Sequence, residues 1–403
     1  MTTPLVTPTD TRKQGPFMPN PAYIDIHALQ TLPYSNLNRD DLGSPKTLVL
    51  GGAERTRVSS QSWKREVRRR VENRLGDPAV RTRRLVSAVT ERLRTSGWSE
   101  ENALEAGKQV VRSAGKDISL GTAKKNHKGE TLPPDTSVLL YLPSDAIAQL
   151  AELAAEHAED IAAQAGKKQP KAVLPTDRVV AVLNSRNASV RLFGRMLAEL
   201  PETELDGAVQ FAHAFTVHPT NIDVDFFTAV DDLLKDGDRG SGHMNEGMFS
   251  AGTFYRYANL NLTQLVNNSG GDTREAARLA AEFLRAFVDT VPSGKQTATA
   301  AVTVPDLVHV AVRSDRPVSY ATAFEEPVAG THGHLATARD RLEAYAGELA
   351  SVWWPDSILY QGHAGLGLDK DLPSLGANTG SYAALIEQAM QQAAPASADE
   401  AAQ

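Results

Sequence analysis

The chain is expected to be an α+β protein, and three observations carry that reading. Residues 23–29 alternate with period two, 248–262 alternate aromatic with small residues, and 302–312 are again strand-like. Helical spacing governs 60–75 and 273–289 instead; the second stretch places Ala276, Leu279, Ala280, Phe283, Leu284, Phe287 and Val288 on one face. Strands and helices interleave, while the middle third is mostly helical and reads as an insertion into a sheet-based core.

In chain order, residues 1–20 are rich in Thr and Pro, carry no periodicity and read as a disordered tail. A first strand at 23–29, with Ile24 and Ile26 on one face, leads into a basic loop and the short apolar run 47–50. Gly51-Gly52 and the alternating Arg55 and Arg57 follow. Ser59 or Ser60 caps a helix to about Leu75, stopped by Gly76, with Trp63, Val67, Val71 and Leu75 as its buried stripe. A basic helix is expected at 81–94, another from Ser99 to about Gly115, and a polar loop at 116–134. A short strand follows at 138–142, then an Ala-rich helix at 144–165 capped by Ser144. Strand character returns at 189–197 and 208–217. Residues 220–245 suit a hairpin with an Asp/Gly-rich tip, and 248–262 a central strand. Helices at 337–353 and 380–392 finish the fold, and the Ala/Gln-rich end is loose.

At 403 residues the chain holds two or three average domains, or one core with large insertions. Cysteine is absent, which excludes disulfides and thiolate metal sites and fits a cytoplasmic setting. No apolar run approaches membrane-spanning length, and the start lacks the apolar stretch of a signal peptide. The formal net charge is −7, but its distribution matters more. Between Lys46 and Arg94 stand 14 Lys and Arg against 5 Asp and Glu, so a basic segment sits on an acidic body. That is the footprint of a soluble nucleic-acid binder, with a merely solvated helix face as the bland alternative. Lys64 and Arg68 form one ridge beside the buried stripe, and Arg65 and Arg69 another. The free N–H groups of the helix's first turn offer a phosphate seat.

The run NRDD-x-G-x-x-K, then GG-x-x-R-x-R-V-SSQS-W-KR-x-x-R (38–68), resembles the signature of the CasC family. That family supplies the repeating CRISPR-RNA-binding backbone subunit of the type I-E surveillance complex, Cascade. FGRM (193–196), DGAVQFAHAFTVH (206–218), DFFTAVDDL (225–233) and FYRYANLNL (254–262) extend the resemblance over roughly 23–390, weakest between 81 and 184. It implies a modified RNA-recognition-motif, ferredoxin-like palm at 21–75 and 185–390. Helical fingers would be inserted at 76–184, and a β-hairpin thumb at 218–247. It also implies a non-catalytic scaffold that polymerises on CRISPR RNA, six copies per complex in the family. Such a scaffold kinks the RNA periodically and presents it to target DNA beside the large, small, end-capping and RNA-processing subunits. No cofactor, metal or membrane is implied.

Carried over by motif position, Arg39, Lys46, Ser59, Gln61, Lys64, Arg65 and Arg68 face RNA phosphates, an interface that accepts any guide sequence. For Arg39 the alternative is an internal ion pair with Asp40 or Asp41; Arg69 and Arg70 read as solvated surface. Phe226 and Phe227 point to opposite faces of a strand, so at most one packs within its own subunit. The resemblance implies that Phe227, with Met196, packs against the displaced nucleotide. Lys167, Lys168 and Lys171 are candidates for touching target DNA, and Lys295 for reaching the RNA from its turn. For these four, a solvated loop explains the sequence equally well.

Three enzyme-like features need weighing. Asp40-Asp41 beside an RNA surface suits a Mg²⁺-dependent ribonuclease, the main alternative function. His213, His218, Asp223 and Asp225 match no standard metal spacing. Gly51-Gly52 is not followed by the Gly-Lys-Ser/Thr of a nucleotide-binding loop. A monomeric RNA chaperone is the third reading.

Overall fold

The alternating stretch at 23–29 continues past its pattern to form β1 (Tyr23–Ser35). The computed structural model describes residues 22–115, 118–195, 204–229, 243–330 and 333–393. The Thr/Pro-rich start, Met196, the hairpin tip at 230–242 and residues 394–403 of the Ala/Gln-rich end lie outside them.

After β1 come β2 (Thr47–Leu50), β3 (Ala53–Val58), α1 (Ser60–Leu75), β4 (Ala79–Thr82), α2 (Leu85–Thr95) and α3 (Glu100–Arg112). The middle continues with β5 (Leu140–Pro143), α4 (Ala146–Glu156), α5 (Ala158–Ala162), α6 (Thr176–Leu183) and α7 (Ala188–Phe193). Then follow β6 (Val209–Phe211), β7 (Ala214–Thr216), β8 (Asp223–Ala229), β9 (His243–Asn261), α8 (Leu262–Asn268) and α9 (Thr273–Asp289). The last third holds α10 (Gln296–Thr299), β10 (Leu307–Arg313), α11 (Leu335–Val352), β11 (Ile358–Gly365), β12 (Ala377–Asn378) and α12 (Tyr382–Ala393).

One sheet runs β12-β11-β10-β1-β9-β7-β3-β2, and β6 and β8 also pair with β9. Its ladders are antiparallel except the short β11–β12 pair. Helices cover both faces, which is why β1 is buried on both sides rather than on alternate residues. Ile24, Ile26 and Ala28 meet Val67 and Val71 of α1, Phe283 and Phe287 of α9 and Leu385 of α12 in one core. Leu29 belongs to the opposite layer with Tyr255, Phe324 and Leu342 of α11. Asp25 is buried in that layer and receives four donors: Arg313 Nε (3.0 Å), the Tyr257 hydroxyl (2.7 Å), Asn259 Nδ2 (2.9 Å) and the Val318 N–H (3.0 Å).

Elements α2 to α6 and β5 pack around a hydrophobic cluster of their own, built on Val89, Val110, Leu142, Leu150 and Val179. The middle third is thus a second core beside the sheet, as its helical patterning predicts.

Several local expectations need correction. Of the strand expected at 189–197, residues 189–193 are helical instead, and 196–197 lie outside the described residues. Asn187 caps α7 by accepting from the Val190 N–H (3.0 Å), and the helix closes at Phe193. The Ala-rich segment is two helices. Its first turn has no side-chain cap, and His157 leaves helical geometry after donating its N–H to Ala154 (3.1 Å), which tightens the last turn. The stretch 81–94 begins as β4, because β4 pairs with distant β5 before α2 starts. The strand expected at 208–217 is split into β6 and β7. The one expected at 302–312 starts at Leu307, just after Pro305, which has no N–H for a ladder.

Candidate nucleic-acid interface

The basic loop is fastened to the start of α1 by its own side chains. Asn38 Oδ1 accepts the Ser59 N–H (2.9 Å), and the Lys46 N–H donates to the Asn38 carbonyl (2.9 Å). Arg39 and Pro45 form a bridge across the loop. Within it, Asp40 Oδ1 accepts the N–H groups of Leu42 and Ser44, both at 2.9 Å, and Asn36 Nδ2 donates to the Gly43 carbonyl (2.9 Å). The loop is therefore a folded device that carries exposed Arg39 and half-buried Lys46 to the N-terminus of α1.

That terminus is built as its sequence predicts. Ser59 is the N-cap and accepts the Ser62 N–H (3.3 Å), while Gly76 ends the helix at φ 63°, in the left-handed region. Among the described residues, neither the Ser60 nor the Gln61 N–H finds an acceptor, and both point along the positive end of the helix dipole. Ser59 is itself buried, so its hydroxyl serves the cap; Gln61 is exposed.

The cations fall into two groups. Arg57 donates from Nε to the Thr47 carbonyl (3.2 Å) and from Nη1 to His213 Nδ1 (3.3 Å). Burial first, then the charges of Arg57 and Lys46, lower the His213 pKa, so this imidazole stays neutral inside a cationic patch. Lys64 is half-buried; burial, then the charge of Arg81, lowers its pKa. Arg81 reaches over the Tyr141 ring, 4.6 Å from its centroid. Among the described residues no carboxylate pairs with Arg39, Lys46, Arg57, Lys64 or Arg81, and cations held together without counter-charge favour an anion. Arg65 is exposed and shares Glu66 (2.5 Å) with Arg69 (3.8 Å), weak surface contacts that exchange readily.

Arg68 is different from the rest. It pairs with Glu72 (2.9 Å), one turn on, with side chains only 14% and 5% exposed. Glu72 also accepts the Ser189 hydroxyl (2.7 Å), which in turn accepts that of Tyr141 (2.7 Å). Arg68 thus ties α1 to the middle third instead of presenting a free charge. The contributions of Arg57, Arg81 and Tyr141 went unread in the sequence. For Arg57 the alternation with Arg55 was a usable signal; for Arg81 and Tyr141 the β4–β5 pairing brings them to Lys64, and nothing local shows it.

Arg55 and the glycine pair proved structural. Arg55 is fully buried and donates to the carbonyls of Thr216, Leu50, Phe324 and Glu325 (3.1–3.2 Å). Gly51 (φ 58°) and Gly52 (φ 74°) make the two-residue turn of the β2–β3 hairpin, and a Cβ on Gly51 would collide with the Glu325 carbonyl.

The hairpin β8–β9 is paired from Asp223↔Phe249 to Ala229↔His243. Phe226 and Phe227 point to opposite faces and neither packs within the chain: they are 65% and 49% exposed, in keeping with the limit of at most one internal ring. Lys295 sits at φ 53° on the turn before α10, with Nζ 5.5 Å from the Phe249 ring centroid at the hairpin's root. Lys167, Lys168 and Lys171 are exposed on a loop of the middle third, far in sequence from α1.

Two of the enzyme-like side chains, Asp40 and His218, are engaged in the fold. Asp40 spends a carboxylate oxygen on its loop. His218 is buried, with Nδ1 against the Pro219 carbonyl (2.7 Å) and Nε2 accepting the Thr253 N–H (3.1 Å). Among the described residues no group of three or more His, Asp or Glu side chains could hold a metal, and no helix is long and apolar enough to cross a membrane.

A family model described as CT1975-like protein matches residues 24–385. A chain of a "CRISPR RNA-guided surveillance complex, pre-nicking" superposes with a TM-score of 0.87 at 59% identity, covering 92% of this chain and 100% of that one. A chain of a "CRISPR RNA-guided surveillance complex" gives a TM-score of 0.77 at 51% identity, covering 92% and 99%. No curated protein matches. On this evidence the chain belongs to the CT1975-like family, as a Cascade backbone protein.

Proposed function

We propose that the chain is a non-catalytic scaffold that polymerises along CRISPR RNA and presents it for pairing with target DNA in a type I-E complex. The observation that carries this reading is a set of uncompensated cations beside α1: Arg39, Lys46 and Arg57 on the segment leading into its open N-terminus, and Lys64 with Arg81 farther along it. Phosphates are the groups such a surface holds without reading sequence. The exposed Phe226 and Phe227 then act between copies: the thumb of one subunit crosses the RNA held by the next and displaces a base, with Phe227 and Met196 against it. Both solved complexes in which the similar chains sit are RNA-guided.

In this reading the palm comprises 21–75 and 185–390, the fingers 76–184 and the thumb 218–247. The order β10-β1-β9-β7, with α1 after β1 and α9 after β9, supports a ferredoxin-like, RNA-recognition-motif palm. Lys295 serves the RNA, and Lys167, Lys168 and Lys171 face incoming DNA. Asp40, bound to its own loop, gives the ribonuclease alternative no support.

Co-purification with the neighbouring gene products, followed by extraction and sequencing of bound RNA, tests the proposal. The expected result is a uniform RNA carrying CRISPR-derived sequence, at several protein copies per RNA. Heterogeneous cellular RNA at one copy per RNA would overturn it.

A further inference from the structure

The pairing of β1 with β9 is continuous from Tyr23↔Asn261 to Leu32↔Gly252 and then shifts, resuming at Ser35↔Ser250. Two residues, Pro33 and Tyr34, stand opposite Ala251 alone, so the strand carries a bulge at its end. Bulges re-aim side chains. Here the bulge turns Tyr34 onto the root of the thumb hairpin, where its ring stacks on Phe249 with centroids 4.5 Å apart and planes 22° from parallel. Phe249 is buried, whereas Tyr34 is 40% exposed, so the outer ring of the stack lies open to solvent.

The surroundings of this stack define what would cover it. Lys295 places its ammonium near Phe249 and has a left-handed backbone, and a Cβ on the preceding Gly294 would collide with the Leu37 carbonyl. A lysine in that conformation persists only where neighbouring structure imposes it. Asp223, the ladder partner of Phe249, and Asp225 lie on the adjoining strand β8. Carboxylates there discourage a phosphate over the rings but not a neutral planar group, and Lys295 supplies one cation beside them. A flat uncharged ring joined to a single nearby anion is a nucleotide.

We propose that Tyr34 is a stacking platform for an unpaired nucleobase, with Phe249 as its backing and Lys295 on that nucleotide's phosphate. The proposal rests on the reading of the chain as an RNA-binding scaffold and adds a base contact at the thumb's root, separate from the exposed Phe226 and Phe227. Because every base has a π-face, the platform accepts any guide sequence.

The test uses the full chain with single-stranded guide RNA, comparing the parent with Tyr34→Leu and Tyr34→Phe. Loss of one stacked base weakens binding by about 5- to 150-fold. Tyr34→Leu should show such a loss with an unchanged dependence on log salt, since stacking releases no counterion, and Tyr34→Phe should restore parent affinity. Equal affinity of parent and Tyr34→Leu overturns the proposal while leaving the scaffold reading intact; a parent that binds no RNA overturns the scaffold reading itself. Ultraviolet cross-linking of the unmodified complex covers a Tyr34→Leu protein that fails to fold. A nucleotide adduct on Tyr34 is expected, and adducts at Phe227 without one at Tyr34 would overturn the platform.

Discussion

Lys64 and Arg68 lie one turn apart on the same ridge of α1, and the structure assigns them opposite consequences. Lys64→Ala removes an uncompensated cation. Each single-strand phosphate contact contributes about 0.7 to the slope of log affinity against log salt, so the slope should flatten by about 0.7. Between 50 and 200 mM salt the parent's affinity would then fall about 2.5-fold more than the variant's. Arg68→Ala instead removes the partner of Glu72, a carboxylate 5% exposed and left with only the Ser189 hydroxyl. Breaking a buried pair costs roughly 3–5 kcal/mol, and the 14% exposure of Arg68 places this one near or below the lower end, at about 2–3 kcal/mol. With about 2 °C per kcal/mol for a chain of this size, the melting temperature should drop by roughly 5 °C. The salt slope should stay as in the parent. Fluorescence anisotropy with labelled guide RNA over a salt series, paired with thermal unfolding, measures both quantities. If Arg68→Ala flattens the slope and keeps its melting temperature, the assignment of Arg68 to the protein's interior is wrong.

Two further outcomes are expected. Phe226→Ala and Phe227→Ala should fold as the parent does, because both rings are largely exposed, while Phe227→Ala weakens assembly on guide RNA by about 1–3 kcal/mol per nucleotide; native mass spectrometry of the assemblies reads this. Burial raises the Asp25 carboxyl from 3.8 to about 6, against the opposing pull of Tyr257, Val318, Arg313 and Asn259. The folded state therefore holds this proton more tightly than the unfolded state does. Its stabilisation is complete below pH 4 and is lost as pH rises through 6, about 3 kcal/mol in all. Urea midpoints between pH 4.5 and 7.5 should fall more steeply for the parent than for Asp25→Asn, and parallel profiles would refute the shift.

The parts legible from the chain are those whose determinants lie within one or two turns. Ser59, the Trp63-Val67-Val71 stripe and Gly76 delimit α1 from inside, and the apolar face of α9 is equally self-contained. What failed was decided at a distance. Residues 81–82 look helical until β5 arrives from some sixty residues on, and nothing near Arg55 shows the four carbonyls, up to 270 residues away, that surround it. Arg68 is instructive, since its partner stands at i+4 in plain view. Local spacing offered both the pairing and the free ridge, and only the burial of Glu72 decides between them.

Strand β9 has a mechanical consequence. Its 19 residues run without interruption from the β8–β9 hairpin into the middle of the sheet, where β1 flanks it over most of the remaining length. At about 3.3 Å per residue this is a rod roughly 60 Å long, with no loop to act as a hinge between its ends. Force on the hairpin is therefore delivered to the centre of the sheet. In the proposed assembly, a lever anchored in this way holds its tilt before anything docks, and neighbouring copies meet a fixed angle.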